Sequence, residues 1–261
     1  MRVLYVAEIV GKAGVFTFKK AIALVKAELK PDFVIACADG ATGAKGLGKE
    51  HALYIKKLGA NVLSCGDFCF AKKDLTEDLE RLPFILRPAN LNGDVPGFGY
   101  GVFKCTDKKI AVAVLLGQAE FSRFHSENPI AGLKGLLENL RSQTPFVIVD
   151  YHAAASAEKQ TLFYAADGLC SAVIGSHCRV QTADETVLHN GTAVITDAGR
   201  TGSQLSVGGC EAKSCIAEFI TGIPHWKKDA WDCLELQGVL IDIDDCGKAV
   251  SITRVRKAVS V

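Results

Sequence analysis

Residues 2–8 (RVLYVAE), 32–39 (DFVIACAD) and 60–67 (ANVLSCGD) decide the fold. Each stretch is a short apolar run that ends in an acidic residue, and a segment with helical periodicity follows it. Short uninterrupted apolar runs are typical of strands buried on both faces of a sheet. Helices are predicted over residues 15–29, 49–59 and 72–82. The alternation of buried strands with helices predicts an α/β architecture.

Later parts of the chain add hairpins to this pattern. Residues 145–152 (PFVIVDYH) and 171–177 (SAVIGSH) are two more buried strands. Turns between apolar stretches predict hairpins at residues 106–108, 190–191 and 245–248, and the Asn-Gly pair at 190–191 is a strong hairpin signal. A mixed sheet, or two packed sheets with helices outside, therefore fits better than a purely parallel sheet.

Composition narrows the function classes. The 261 residues carry 30 basic and 29 acidic side chains, and 49% of the residues are hydrophobic, so no basic stripe is available for nucleic acid. A small phosphorylated ligand needs only a local site, so the near-neutral composition does not exclude such a ligand. No apolar run approaches the ~20 residues that span a bilayer. We expect no signal peptide, because the apolar run after Met1-Arg2 has no small-residue cleavage site. We expect a cytoplasmic protein of one domain, residues 1–261, with no membrane or nucleic-acid partner.

Five polar residues share one location, the carboxyl end of a predicted strand. They are Glu8, Asp39, Asp67, His152 and His177. Ligands bind at this edge in α/β sheets, and mixed oxygen and nitrogen donors suit Mn²⁺, Fe²⁺ or Zn²⁺. Any one of the five could instead cap a helix or make an ordinary hydrogen bond. The shared placement of all five favours a metal site that activates water and polarises a phosphoryl group.

The chain is similar to the YmdB-type family of bacterial metallophosphoesterases, within the calcineurin-like superfamily, over essentially its whole length. The motifs that carry the resemblance are AEIVGKAG (7–14), LRPAN (86–90), PGFGYGVF (96–103), DYHAAASAEK (150–159), GSHCRVQTADE (175–185), NGTAVITDAGRTG (190–202) and LQGVLIDID (236–244). The resemblance implies a calcineurin-like metallophosphoesterase fold, with two packed mixed β-sheets flanked by helices in a four-layer αββα sandwich. It also implies a homo-oligomer and a two-metal site that cleaves phosphodiesters such as cyclic nucleotides.

The resemblance implies one intact metal position. In the family, this position combines a bridging acid, the Asn of a Gly-Asn-His motif, a lone His and the first His of a His-x-His pair. These ligands correspond here to Asp39, Asp67, His152 and His177. Each of the four side chains is still a competent metal ligand, and Asp67 adds a negative charge.

The second metal position is altered. Glu8 and Asp39 remain, but the family's Asn is Gly40 and the second His of the pair is Arg179. Arginine stays protonated and cannot ligate a metal. We expect the Arg179 guanidinium to replace the charge of the second ion by pairing with Glu8 and Asp39, so that at most one metal is retained. The alternative is that the position has drifted without compensation.

The family's catalytic acid is also missing. Its Gly-Asn-His motif corresponds to Gly66-Asp67-Phe68 here, so no catalytic residue is assigned. Loss of a general acid typically costs about 10²–10⁴ in rate. Arg123 and His125 are candidate substrate contacts, or part of an ordinary surface loop.

Three cysteines and a glycine-rich segment could also have a functional role. Cys37, Cys69 and Cys178 lie beside motif positions, and a thiolate would favour Zn²⁺, although buried or bystander thiols are the simpler interpretation. Residues 43–49 (GAKGLGK) have P-loop spacing, but Glu50 stands where Ser or Thr should bind Mg²⁺. A loop beside the site is the better interpretation of this segment.

Three functions remain open from the sequence. The first is a pseudoenzyme that binds a ligand or partner, with weak or lost phosphodiesterase activity. The second is an active phosphodiesterase or phosphatase that uses one retained metal on small phosphoesters. The third is a structural or assembly module.

Overall fold

The computed structural model describes residues 1–121 and 126–260. Its first sheet contains both parallel and antiparallel pairs. The strands are β1 (Arg2–Val6), β2 (Glu8–Ile9), β3 (Phe33–Cys37), β4 (Val62–Ser64), β5 (Ile85–Leu86), β12 (Arg200–Ser203), β13 (Leu234–Ile243) and β14 (Ala249–Val259). Their spatial order is β2-β12-β13-β1-β3-β4-β5, and β14 pairs with β13 outside this order. Strands β1, β3, β4 and β5 run parallel, whereas β13 is antiparallel to β1, β12 and β14.

The second sheet is also mixed. Its strands are β6 (Tyr100–Cys105), β7 (Lys108–Leu116), β8 (Val147–His152), β9 (Ala172–Ser176), β10 (Thr186–Val187) and β11 (Ala193–Ile195), in the spatial order β10-β11-β9-β8-β7-β6. The central strands are parallel and both edge strands are antiparallel. The predicted hairpins are confirmed as the β6–β7, β10–β11 and β13–β14 pairs.

Helices flank the sheets, and one predicted helix is wrong. The helices are α1 (Gly11–Leu29), α2 (Lys49–Leu58), α3 (Lys73–Thr76), α4 (Leu133–Arg141), α5 (Ser156–Ala166) and α6 (Ala212–Thr221). The helix predicted over 72–82 is only the single turn α3 and a 3₁₀ turn at Leu79–Arg81. The break falls at Asp78, whose φ of −112° and ψ of 2° lie outside the helical region.

Packing builds four layers. Between the sheets, alternate residues of facing strands form an apolar core that includes Tyr5, Ile35, Val112, Ile148 and Ile174. A second core joins the outer face of the first sheet to α1 and α2, and a third joins the outer face of the second sheet to α4 and α5. The predicted αββα sandwich of two mixed sheets is confirmed. In the described residues no helix is long and apolar enough to cross a membrane.

Close backbone packing at β9 leaves no room for a side chain at Gly175, which can be tested. A Cβ there would lie 1.9 Å from the carbonyl oxygen of Thr196, at the end of the neighbouring strand β11. Gly175→Ala should therefore lower the free energy of unfolding by about 1–3 kcal/mol, measured by urea denaturation.

The matched control is Gly135→Ala in α4, where an added Cβ meets nothing within 4 Å. Because alanine favours helix over glycine, this variant should gain about 0.5–1 kcal/mol of unfolding free energy. Equal stability changes in the two variants would contradict the packing described for β9.

Candidate metal centre

The five strand-end residues come from both sheets and meet at one edge of the sandwich. The acids belong to the first sheet: Glu8 begins β2, Asp39 follows β3 and Asp67 follows β4. The imidazoles belong to the second sheet: His152 ends β8 and His177 follows β9. The site therefore forms between the two sheets, where the carboxyl ends of their strands face each other.

Three of these residues form a compact group of ligand atoms. Atoms of Asp67, His152 and His177 all lie within 4.8 Å of one another. His152 Nε2 is 2.9 Å from Asp67 Oδ1 and 3.1 Å from His177 Nδ1. His177 Nδ1 is 3.6 Å from Asp67 Oδ1. This is a mixed carboxylate and imidazole set, of the kind that holds Mn²⁺, Fe²⁺ or Zn²⁺.

Asp39 lies directly beside this group. Its Oδ2 is 3.8 Å from His152 Nε2, and its Oδ1 accepts the backbone N–H of Gly66 at 2.6 Å. The N–H of Phe68 is shared between both carboxylate oxygens, at 3.2 and 3.3 Å. Burial, together with the negative charges of Glu8 and Asp67, raises the pKa of Asp39 to about 7 despite the opposing effect of His152. A cation at this point would favour the ionised carboxylate.

His152 and Asp67 each stabilise the charged form of the other. Burial alone would lower the pKa of His152, but the hydrogen bond to Asp67 and the charges of Asp39 and Glu8 raise it to about 9. Burial would raise the pKa of Asp67, but hydrogen bonds to His152 and His177 hold it well below its usual range. A proton on the His152–Asp67 pair thus balances part of the negative charge.

A buried relay behind His152 was missed by sequence reasoning. Asp150 Oδ1 accepts the hydroxyl of Ser176 at 2.7 Å, and Ser176 Oγ is 3.1 Å from His152 Nδ1. The other carboxylate oxygen of Asp150 accepts the hydroxyls of Tyr5 and Ser64. Because the serine proton is committed to Asp150, Ser176 is placed to accept from Nδ1–H, which leaves Nε2 facing the centre.

The loop after β9 carries two strained residues. His177 has a φ of 93° and Arg179 a φ of 59°, both in the region that favours glycine. Between them, the N–H of Cys178 donates to Asp197 Oδ2 at 2.9 Å, and the fully buried Lys159 donates to the same oxygen at 3.0 Å. This buried ion pair braces the loop and directs His177 and Arg179 into the site.

Arg179 is paired with Glu8. Its Nη2 and Nε donate to Glu8 Oε1 at 2.6 and 3.0 Å, and its remaining hydrogen bonds reach the carbonyls of Ala44 and Gly208. Burial would lower the pKa of Arg179, but the charge of Glu8 raises it above its ordinary value. No hydrogen bond joins Arg179 to Asp39 within residues 1–121 and 126–260, although the charge of Asp39 acts on it in the same direction.

Gly40 and Arg179 occupy one space. A Cβ on Gly40 would lie 2.7 Å from Glu8 Oε1 and 2.9 Å from Arg179 Nη2. The guanidinium thus fills the volume that an asparagine side chain would need at position 40. The two departures from the family pattern are coupled, which the sequence alone did not reveal.

Two phenylalanine rings, Phe68 and Phe121, lie close to the site. The Phe68 ring has Lys45 Nζ 5.9 Å from its centroid. The Phe121 ring lies 4.9 Å from the His177 ring and 5.9 Å from the His152 ring, an apolar cover that the sequence did not suggest. Arg123 and His125 lie outside the described residues.

The cysteines are free thiols, and the group of three metal-ligand candidates in the described part of the chain contains none of them. Burial raises the pKa of Cys37, Cys69 and Cys178, which disfavours a thiolate. The loop that includes residues 43–49 lies beside the site, because Ala44 accepts a hydrogen bond from Arg179.

The donor set fits one divalent ion. Asp67, His152, His177 and the adjacent Asp39 offer carboxylate and imidazole atoms at one point. The second position does not fit an ion, since a permanent cation lies 2.6 Å from the Glu8 carboxylate there. One oxygen of Glu8, Oε2, is buried and has no hydrogen-bond partner in the described residues.

The sandwich of two mixed sheets, with acids from one sheet and imidazoles from the other, has the calcineurin-like phosphoesterase fold. The family described as YmdB-like protein matches residues 4–255, and the chain belongs to it. It is 34% identical over 256 residues to the 2',3'-cyclic-nucleotide 2'-phosphodiesterase of Bacillus subtilis, covering 98% of this chain and 96% of that protein. The predicted family resemblance is confirmed.

Solved structures agree with this assignment. The crystal structure of a novel phosphatase from Mycoplasma pneumoniae is 29% identical, with a TM-score of 0.91, and the match covers 99% of this chain and 93% of that one. A hypothetical protein from Thermus thermophilus is 27% identical with a TM-score of 0.91, and the match covers 99% of both chains.

The shared space at position 40 predicts strong coupling between two substitutions. Gly40→Asn alone should cost about 1–3 kcal/mol of unfolding free energy through overlap with Arg179. Arg179→His alone should cost about 3–5 kcal/mol, because it leaves the buried Glu8 unpaired.

The double variant should be more stable than the sum of these costs predicts, since histidine vacates the space that asparagine needs. Urea unfolding of all four proteins measures the coupling, for which about 0.5–3 kcal/mol is typical of residues in contact. Strict additivity would show that Gly40 and Arg179 do not compete for one volume.

Proposed function

We propose that this chain binds one divalent metal ion and a small phosphoester at the centre, and that its phosphodiesterase activity is weak, so that ligand binding is its main role. The observation that carries the proposal is the pair of Arg179 and Glu8, which lies where a second ion would be needed, beside an intact group of Asp67, His152 and His177. Family membership supports a phosphoester as the ligand.

Asp67, His152 and His177, with Asp39, would hold the ion. A divalent ion bound there supplies a Lewis acid for a phosphoryl oxygen and lowers the pKa of a water molecule. To serve as a ligand, His152 must release its proton, so metal binding competes with the bond between His152 and Asp67. The hydrogen bonds through Ser176 and Asp150 support the ring orientation in which Nε2 faces the centre.

Arg179 replaces the charge of the second ion in this proposal. Four of its five N–H donors are used by Glu8, Ala44 and Gly208, so one N–H on Nη1 remains for a ligand oxygen. A guanidinium recognises phosphate oxygens well but cannot generate a nucleophile. This residue would therefore strengthen binding of a phosphoester without restoring the chemistry of a two-ion clamp.

Phe68 removes the second contribution to catalysis. Its N–H donates to Asp39, but its ring carries no proton for a leaving group. The substrate class is proposed from the Bacillus subtilis relative, which is named for 2',3'-cyclic nucleotides. An efficient one-metal phosphodiesterase and an assembly module are the alternative proposals, and a homo-oligomer remains a prediction.

Metal content tests the proposal first. After reconstitution with Mn²⁺ or Zn²⁺ and removal of free ion, the protein should retain one equivalent, measured by mass spectrometry of the elements. His152→Ala should lose that equivalent, because it removes a central ligand of the group. His189→Ala, at an exposed histidine, is the matched control and should retain it. Two equivalents in the unaltered protein would contradict the exclusion of a second ion.

Restoring a histidine at position 68 tests the second part of the proposal, the weak phosphodiesterase activity. Phe68→His should raise the rate of 2',3'-cyclic nucleotide cleavage by about 10²–10⁴ if a general acid is restored at that point. Phe68→Leu is the control and should give no increase. The gain should vanish in the double variant with His152→Ala, which excludes a contaminating enzyme. A fast unaltered protein that Phe68→His does not improve would overturn the proposed weak activity.

A further inference from the structure

A large cavity lies beside the loop after β3 and has no role in the function proposed above. It measures about 910 Å³. One wall comes from the loop after β3 and the other from the segment that follows α6. The lining residues that matter here are Lys12, Lys45, Lys72, Lys228, Trp226 and Trp231. We refer to it as the lysine–tryptophan cavity.

Shared lining residues link this cavity to the surroundings of the metal centre. An adjoining cavity of about 560 Å³ includes Arg179 in its wall, and the two cavities share Gly43, Lys45, Glu218 and Lys227. Lys45 also lies against the Phe68 ring, next to Asp67 in the chain. Arg179, which pairs with Glu8, and Lys45, which lies near Phe68, therefore connect the cavity walls with residues that border the metal centre.

The lysine–tryptophan cavity carries excess positive charge. Five lysines line it, together with Glu211, Glu218 and Asp229. Glu218 is paired with Lys227 at 3.1 Å, and Asp229 accepts the backbone N–H of Lys12 at 2.6 Å.

The other four lysines, which are Lys12, Lys45, Lys72 and Lys228, form no ion pair with any carboxylate in the described part of the chain. Ammonium groups that outnumber the carboxylates of one cavity attract an anion, and the three N–H donors on each ammonium suit phosphate oxygens.

Two indole rings accompany these lysines. Trp226 is 90% exposed and Trp231 is 41% exposed, which is unusual for the largest apolar side chains. They are the only two tryptophans in the sequence. Exposed aromatic faces beside cationic side chains are the combination on which nucleic-acid bases stack while their phosphates are neutralised.

We propose that the lysine–tryptophan cavity binds the base and a second phosphate group of a nucleotide whose first phosphate lies at the metal centre. The preferred ligand is thus a nucleotide with two separated phosphates, such as a nucleoside bisphosphate or a dinucleotide, and not a cyclic mononucleotide alone. This inference rests on the proposed function, because it takes the metal centre as the first phosphate site.

Intrinsic fluorescence tests the inference directly, since both tryptophans of the protein line the cavity. The Zn²⁺-loaded full chain is titrated with adenosine 3',5'-bisphosphate and with adenosine 3'-monophosphate. The bisphosphate should change the emission and bind at least about tenfold more tightly. Equal affinity for the two nucleotides would overturn the inference.

Charge variants locate the second phosphate. The triple variant Lys12→Ala, Lys72→Ala and Lys228→Ala should reduce bisphosphate affinity to that of the monophosphate. The control triple, Lys19→Ala, Lys57→Ala and Lys104→Ala, removes the same charge from exposed positions outside the cavity and should keep the preference. An equal loss of preference in both triples would show a general charge effect and overturn the inference.

Two further variants separate this inference from the proposed function. Trp226→Ala should weaken both nucleotides about 5-fold or more through lost stacking, whereas Trp226→Phe should retain most of the affinity. His152→Ala should weaken both nucleotides through loss of the metal. If His152→Ala changes neither affinity while the bisphosphate preference persists, the proposed metal function falls and the cavity assignment stands.

Discussion

One buried carboxylate, Asp150, joins the two sheets next to the metal centre. It lies on β8 of the second sheet, accepts a hydroxyl of Ser176 from the same sheet, and accepts hydroxyls of Tyr5 and Ser64 from the first sheet. A buried charge is costly unless several donors satisfy it, so this network fixes how the sheets face each other. The acids of one sheet and the imidazoles of the other meet because that alignment is fixed.

The strand ends were predictable because short apolar runs mark buried parallel strands, and the five polar residues follow such runs. Asp150 was missed because it lies within the apolar run that ends at His152. Period-two alternation offered a signal: Phe146 and Ile148 belong to the core between the sheets, and positions 150 and 152 continue on that face. The helix predicted over 72–82 failed because Asp78 breaks it, and local periodicity does not report such a break.

The departures from the family motifs could be read in the sequence, but their geometry could not. Gly40 and Arg179 are 139 positions apart in the chain, and nothing in either motif indicates that they compete for the same volume. The structure shows that the guanidinium contacts Glu8 and crowds the space that a side chain at position 40 would enter. The cavity beside the centre was equally hidden, because the loop after β3 and the segment after α6 are remote in sequence.

The crowded space around Gly40 also bears on the history of this branch of the family. A chain that acquired Arg179 first would have had to accommodate it beside an asparagine, and a chain that lost arginine today would leave Glu8 buried and uncompensated. Each single step back is disfavoured, either by crowding at position 40 or by an unpaired buried carboxylate at Glu8. The exchange of a metal ligand for a guanidinium is therefore easier to keep than to reverse, because a reversal needs changes at both positions.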